Sequence, residues 1–408
     1  MLVSKSPSLL KNYNSLSSIL KKSLKSKLPN NGTNIFSSMS KLAMENKAIN
    51  LSQGYPDFEV DPILINSVAK YMKLGYNQYA PMPGVLRLRE VISKKISKNY
   101  NQHYNEHEEI TVTAGATQAI FTTISALIHP NDEVIIFSPS FDCYQPAVEL
   151  NGGIPVFVEM ESPDFNVNWN TVEENISSKT RMIIINSPQN PLGTIMSKKD
   201  MTNLERIAEK YDLIILSDEV YEHLVYDNKK HLSICSFPKL FNRSIAVFSF
   251  GKTFHVTGWK LGYVVAPKQL MSEIRKVHQF NVFSANHPLQ LAVADYLENE
   301  EHFLRLNHFY EQKRDLFLEI ISASRFQAKA CSGTYFQLLN FSLISKIADT
   351  EMARDLTINN GIASIPISVF SHFKNDEHNL RFCFAKKEET LKRAGDILVK
   401  IELFTIHS

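Results

Sequence analysis

The sequence predicts an α/β fold, with a large domain built on a mostly parallel sheet flanked by helices and a smaller α+β domain after it. Three observations carry this expectation. Short apolar runs recur between residues 110 and 266, separated by helix-like stretches of ~10–15 residues, the rhythm of repeated βαβ units. Several runs are apolar throughout instead of alternating, as strands covered on both faces must be. Near Pro288 the rhythm gives way to a long helical stretch and then to a few strand-like pieces.

Residues 29–62 read as an N-terminal arm. It holds a short helix around Ile35–Glu45 and the segment Leu51–Phe58 (LSQGYPDF), kept irregular by Gly54 and Pro56. Residues 63–288 form the expected large domain. Its helix Val85–Lys98 leads into a polar loop, Asn99–Glu109, and then to the strand Ile110–Thr113. Gly115 breaks the chain before the apolar helix Ala116–Ile128. Glu133–Phe137, Ile154–Val158 and Met182–Asn186 follow as strands. Ser197 opens the helix Asp200–Tyr211, with Asp200 placed to return the cap. Leu213–Leu216, Ile245–Phe250 and Leu261–Ala266 complete the strands. The expected small domain, 289–408, contains a helical stretch Leu289–Ile321, strand-like Gly333–Asn340 and Leu380–Phe384, and a last helix Lys386–Leu403.

Bulk composition narrows the function classes. The 408 residues are 44% hydrophobic and 21% charged, with a formal net charge of +2, an ordinary globular balance that gives no reason to expect nucleic acid or an anionic membrane as partner. The four cysteines stand singly, which suits a reducing compartment better than a disulfide framework. No apolar run approaches the ~20 residues of a membrane span. Residues 1–44 contain no acidic side chain and include Lys5, Lys11, Lys21, Lys22, Lys25, Lys27 and Lys41. The expectation is a disordered basic extension over residues 1–28 on a cytoplasmic protein. Organellar targeting is the alternative, and the lack of Arg and of a compact apolar stretch speaks against it.

Ligands of open α/β sheets bind beyond the carboxyl ends of the strands. The residues there are Gly115-Ala116-Thr117, Ser138 to Phe141, Asn186 to Gly193 (NSPQNPLG), Ser217 to Tyr221 and Ser249 to Lys252. A turn before a helix can bind an anion through free N–H groups and the helix dipole, although a glycine there is often only a turn. Gly251-Lys252-Thr253 is no nucleotide loop, because that motif needs glycine where Ala246 stands. Lys252 alone reads as a surface lysine; buried, it would be an amine of lowered pKa able to condense with a carbonyl. Asp218 reads as a cap or as the partner of a pyridinium nitrogen, and Tyr221 as core or as a donor to the same ligand. Their recurrence at successive strand ends favours the functional readings. His103 and His107 lack the context of a zinc site, and His255 and His287 read as structural.

At these residues the chain resembles a family. VTAGAT (Val112–Thr117), NSPQNPLG, SDEVYEHLVY (Ser217–Tyr226) and SFGKTFHVTGWKLGY (Ser249–Tyr263) are similar to the class I/II pyridoxal-phosphate-dependent aminotransferases of fold type I, and within them to the methionine aminotransferase and kynurenine aminotransferase (glutamine transaminase K) subgroup. LSQGYPDF, NQYAPMPG, FDCYQPAV, EIRKVHQF, GTYF, IPISVF and RFCFAKKEETL fit too, so the resemblance runs from about Pro29 to Lys400.

The resemblance implies a seven-stranded sheet, pyridoxal 5'-phosphate as cofactor, and a homodimer with shared active sites. By position it implies that Lys252 holds the cofactor and moves the proton, and that Asp218 keeps the pyridine nitrogen protonated. Tyr221 and Asn190 would bind the ring's phenolic oxygen, Phe141 would stack on the ring, and Ser249, Lys260, Ala116 and Thr117 would form the phosphate cup. Tyr79 would come from the neighbouring subunit. Arg381, helped by Asn190 and the Gly54 backbone, would grip the substrate carboxylate. Tyr55, Phe283 and Phe370 are candidates for the side-chain pocket. Lys260 stands where the wider class often has arginine, so its phosphate contact would be a point charge and not a fork. The implied reaction is a ping-pong transfer of an amino group from a methionine, aromatic, glutamine or kynurenine donor to a 2-oxo acid. Cysteine-conjugate β-elimination, or cofactor binding without catalysis, are the alternatives.

Overall fold

The computed structural model describes residues 25–29 and 31–401. Most of the expected extension, residues 1–24, lies outside them. From Thr33 onward the chain is one compact unit.

Its centre is a seven-stranded sheet: β2 (Ile110–Thr113), β3 (Glu133–Ser138), β4 (Ile154–Glu159), β5 (Thr180–Asn186), β6 (Ile214–Asp218), β7 (Ser244–Ser249) and β8 (Gly262–Val265), in the order β2-β8-β7-β6-β5-β3-β4. All pairings are parallel except those of β8, which runs antiparallel to both β2 and β7. The apolar runs have a physical cause. Val134, Ile136, Met182, Ile184, Ile214, Leu216, Ile245 and Val247 pack into one core, while Ile135, Phe137, Ile183, Ile185, Ile215, Ala246 and Phe248 pack into the other. The pleat sends neighbours to opposite faces, and both faces are covered, so every position must be apolar. Helices Ala116–Leu127, Tyr144–Leu150 and Lys268–Asn281 cover the first face. Leu86–Tyr100, Lys198–Tyr211 and His287–Leu297 supply residues to the core of the second.

The Ser197–Asp200 capping box is present: Asp200 N–H donates to Ser197 Oγ at 3.2 Å, and Ser197 N–H to Asp200 Oδ2 at 2.8 Å. The expected single stretch Leu289–Ile321 is instead three helices, His287–Leu297, Glu301–Leu304 and Leu306–Ile321. The polar residues Glu298-Asn299-Glu300 interrupt its apolar face. The last helix is Glu388–Val399, and Leu403 falls outside the described residues.

A second layer joins residues from before and after this sheet. β1 (Ile49–Asn50) pairs in parallel with β10 (Ile362–Ala363). β9 (Phe336–Asn340), β11 (Ile365–Pro366) and β12 (Asn379–Cys383) form an antiparallel sheet, β11-β12-β9. Leu51 is tied into this layer from both sides, through its N–H to Ala363 O at 3.0 Å and through Cys383 N–H to its carbonyl at 2.8 Å. Those bonds carry the segment containing Gly54 to Arg381 on β12.

Candidate active site

A cavity of about 380 Å³ opens where the carboxyl ends of β5, β6 and β7 meet the second layer. It is lined by Gly54, Tyr55, Ala116, Thr117, Phe141, Asn190, Asp218, Tyr221, Ser249, Lys252, Lys260 and Arg381, together with residues that the sequence did not single out. A larger groove of about 1270 Å³ contains none of Lys252, Asp218, Tyr221, Asn190 and Arg381.

Lys252 lies on a single helical turn, Phe250–Thr253, directly after β7. No carboxylate among the described residues pairs with its ammonium. Instead Nζ donates to Tyr335 Oη at 2.9 Å and to Gly54 O at 3.3 Å. Its accessible surface is intermediate because the cavity opens on it. Elsewhere protein encloses it, and burial pushes the amine down to about 8, with the Arg381 and Lys260 charges adding to the shift.

Asp218 closes β6. Tyr144 Oη donates to its Oδ2 at 2.6 Å, and Val220 N–H reaches Oδ1 at 3.3 Å. Burial pushes the carboxyl up to about 6 against those bonds. No cation among the described residues lies within ion-pair distance of it, so this buried acid has room for an N–H⁺ partner. Asn186, at the end of β5, donates from Nδ2 to Asp218 O at 2.9 Å and accepts Asn190 N–H at 2.8 Å. Asn186 therefore sets the loop bearing Asn190 against the strand bearing Asp218.

Arg381 sits in the middle of β12, opposite Leu338 of β9. It is 1% exposed. NH1 donates to Asn190 Oδ1 at 2.5 Å and NH2 to Ser52 O at 3.1 Å. Its Nε has no partner, and no carboxylate among the described residues forms an ion pair with it. Phe336 stacks 3.9 Å from the guanidinium carbon, with Phe36 and Phe370 each 5.2 Å away. Burial pushes the guanidinium down to about 10. A buried fork with spare donors is built to take a carboxylate.

The anion pocket is at the start of the helix Ala116–Leu127, whose cap Gly115 (φ +83°) offers no side-chain acceptor to the first N–H groups. A Cβ on Gly115 would lie 3.6 Å from Lys260 Nζ, so the ammonium borders those free donors. Tyr221 is buried, its ring edge-on to Tyr335 at 5.2 Å.

Of the candidates for the side-chain pocket, Tyr55 lines this chain's cavity while Phe283 and Phe370 do not; Tyr79, expected to come from the neighbouring subunit, lies outside it too. Tyr79 is 80% exposed. Phe283, 45% exposed, follows the helix Lys268–Asn281 with φ +68° and meets Tyr79 edge-on at 5.2 Å. Phe370 does not line the cavity either and packs behind Arg381. Sequence reasoning placed Asn186 at the ligand-binding edge without a role and missed Tyr144 and Tyr335, and also Asn34, Phe36 and Asp142. The Asn34 amide donates to Asp142 at the cavity mouth. Tyr144 and Tyr335 stand inside FDCY and GTYF, motifs that offered a signal without a role.

The residues present fit pyridoxal phosphate. The lysine amine is neutral at mildly alkaline pH, the anion pocket is cationic, and among the described residues the one fully buried carboxylate of the cavity lacks a cation.

Known proteins agree. The model of the family described as aminotransferase class I and II matches residues 46–398. The chain is 45% identical over 374 residues to the methionine aminotransferase of Escherichia coli (strain K12), covering 91% of this chain and 97% of that protein. It is 32% identical over 411 residues to a kynurenine–oxoglutarate transaminase of Dictyostelium discoideum, covering 91% and 94%. The crystal structure of YbdL from Escherichia coli, reported with a methionine aminotransferase function, superimposes with a TM-score of 0.91 at 45% identity over 93% of this chain and all of that one. With this likeness running through the sheet edge that carries Asp218 and Lys252, the chain belongs to the class I and II aminotransferases and works with pyridoxal phosphate.

Proposed function

We propose that this aminotransferase takes L-methionine or an aromatic amino acid, kynurenine included, as amino donor, and acts as a homodimer. One observation carries the donor reading: a single buried, carboxylate-free guanidinium, Arg381, faces the cavity among Phe36, Phe336, Tyr55 and Phe141. Among the described residues the only other cations lining the cavity are Lys252 and Lys260, and Asp142 faces the same space. One carboxylate and a large apolar side chain suit that lining better than two carboxylates do. The names of the relatives point the same way.

Lys252 would carry the cofactor, with Asp218 at the pyridine nitrogen, Tyr221 and Asn190 at the phenolic oxygen, Phe141 against the ring, and Ser249, Lys260 and the Ala116–Thr117 backbone at the phosphate. Bound pyridoxal phosphate supplies a carbonyl that exchanges amines and a conjugated ring that accepts the electrons of a broken Cα–H bond. The chain's own residues do the rest. Arg381 takes the donor's α-carboxylate in its fork and so fixes the direction of the Cα–H bond. Lys252 Nζ, neutral above about pH 8, removes the Cα proton and later returns one. Phe36, Phe141 and Phe336 keep the reacting carbon away from water.

The test is spectroscopic and kinetic. The purified protein with cofactor should show a visible absorption band that bleaches as methionine, phenylalanine or kynurenine is converted to its 2-oxo acid. No band with cofactor present, or faster turnover of aspartate and glutamate, would overturn the reading. Lys252→Ala should abolish turnover. Arg381→Ala should lower donor kcat/KM by roughly 100-fold or more, about 3 kcal/mol, while cofactor affinity holds.

A further inference from the structure

The amine of Lys252 is held by two acceptors that the mechanism above leaves idle. Tyr335 Oη donates to Gly54 O at 2.6 Å, so toward Lys252 it has only lone pairs to offer. Nζ lies 2.9 Å from that oxygen and 3.3 Å from Gly54 O. A neutral amine has two N–H donors and one lone pair. The two acceptors lie 2.6 Å apart and so hold the hydrogens of one side of the amine, which leaves the lone pair to the side that lines the cavity. An ammonium would add a third N–H for which no acceptor stands among the described residues.

The holder is rigid. The Tyr335 ring is fully buried, edge-on to Tyr221 at 5.2 Å and packed on Phe336 at 4.9 Å. Gly54 cannot be replaced cheaply, because a Cβ there would lie 2.5 Å from Phe336 and 3.2 Å from the Tyr335 ring. Lys252, Gly54 and Tyr335 come from three distant segments, so their meeting depends on the packing of the second layer against the sheet.

We propose that Tyr335 is a positioning residue for proton transfer: with the Gly54 carbonyl it grips the Lys252 amine, once a donor amine has displaced it, so that the lone pair faces the donor's Cα. This rests on the reading of Lys252 as the base. Burial, not these acceptors, favours the unprotonated form and holds the amine near 8; the acceptors orient it.

The experiment compares wild type with Tyr335→Phe, which keeps the ring and removes the oxygen. In the loaded enzyme, single-turnover reaction with methionine carrying hydrogen or deuterium at Cα reads the proton transfer. In the cofactor-free protein, the pH dependence of Lys252 modification by an amine-reactive reagent, read by peptide mass spectrometry, reports on the amine alone. Tyr335→Phe should slow the single turnover by ~10- to 100-fold, the scale expected for a misaimed base. It should enlarge the isotope effect, leave the donor KM within about 3-fold, and move the labelling midpoint to lower pH because the ammonium loses an acceptor. If the variant does not accumulate folded, difluorotyrosine at position 335 keeps the shape while weakening the oxygen as an acceptor, and the same shifts in smaller measure are expected.

A variant with unchanged isotope effect and unchanged midpoint overturns the proposal, whether or not its melting temperature has dropped. Failure of the underlying reading looks different: Lys252→Ala would then still turn over donor, whatever Tyr335 does.

Discussion

Asp218 is a carboxyl placed where it would be neutral or charged depending on what sits beside it. Burial holds it at about 6 in the protein alone, above the ordinary 3.8. A group whose folded value is raised gives stability that is present below about pH 4 and lost as the pH rises through 6. A shift of roughly two units makes the loss of the order of 3 kcal/mol. His223 and His255, pushed by burial to about 3 and about 4, titrate between there and their ordinary 6.5 with the opposite sign. The difference between two proteins therefore isolates Asp218. Cofactor-free Asp218→Asn should gain on wild type in denaturant midpoint as the pH goes from 4 to 7, and bound cofactor should reverse the order because the wild-type carboxylate then has its cation. Parallel pH curves for the two cofactor-free proteins would show that Asp218 keeps its ordinary value.

The segment that carries Asp218 is itself held by charges on its other side. From the end of β6 onward, Asp218 and Tyr221 line the cavity, while Glu219 and Glu222 are turned into the core. Lys95 Nζ, from the helix Leu86–Tyr100, lies 2.5 Å from Glu222 Oε1 and 3.1 Å from Tyr263 Oη, and Tyr100 donates to the other carboxylate oxygen. Burial alone would raise the Glu222 carboxyl, but the Lys95 charge overrides it and holds the group at about 2. His231 Nε2 and Ser217 Oγ contact Glu219 at 2.7 and 2.8 Å. Glu222→Gln leaves the Lys95 ammonium buried without its counter-charge and should cost ~3–5 kcal/mol in urea unfolding, whereas the double replacement Glu222→Leu with Lys95→Met should recover most of it. Equal losses in the single and double variants would mean that the pair is not what holds the segment. This network also marks a limit of sequence reading. The strands were legible because burial on both faces forces apolar runs, yet nothing in GYVV distinguishes the antiparallel β8 from its parallel neighbours. The partners of Glu222 stand 122 and 127 positions away in the chain, a separation that no local pattern encodes. The same holds for Tyr335, whose motif was visible but whose contact with Lys252 exists only after the second layer docks.

On the scale of the whole molecule, the lysine and the acid were readable from their places just after or at strand ends, while Arg381, Tyr79 and Phe283 were placed by resemblance; Arg381 lines the cavity, and Tyr79 and Phe283 lie outside this chain's cavity. Their position bears directly on the proposed dimer. Tyr79 and Phe283 form an aromatic pair at the surface, and Phe280, in the last turn of the helix that precedes Phe283, is 88% exposed, an arrangement that a two-fold partner would cover. If Tyr79 serves the partner's site, two defective chains should complement each other. Lys252→Ala removes the base from its own site, and Tyr79→Ala damages the other one. A hybrid of the two variants then has one site with both lesions and one with neither. Each parent should be nearly inactive, and co-refolded chains should regain about a quarter of wild-type turnover, since half of randomly assembled dimers are hybrids with one sound site. If Tyr79 instead served its own chain, each site of the hybrid would carry one lesion and mixing would restore nothing. A mass measurement in solution alongside the assay fixes whether dimers formed, so that the absence of complementation in a sample that is fully dimeric would count against the shared site.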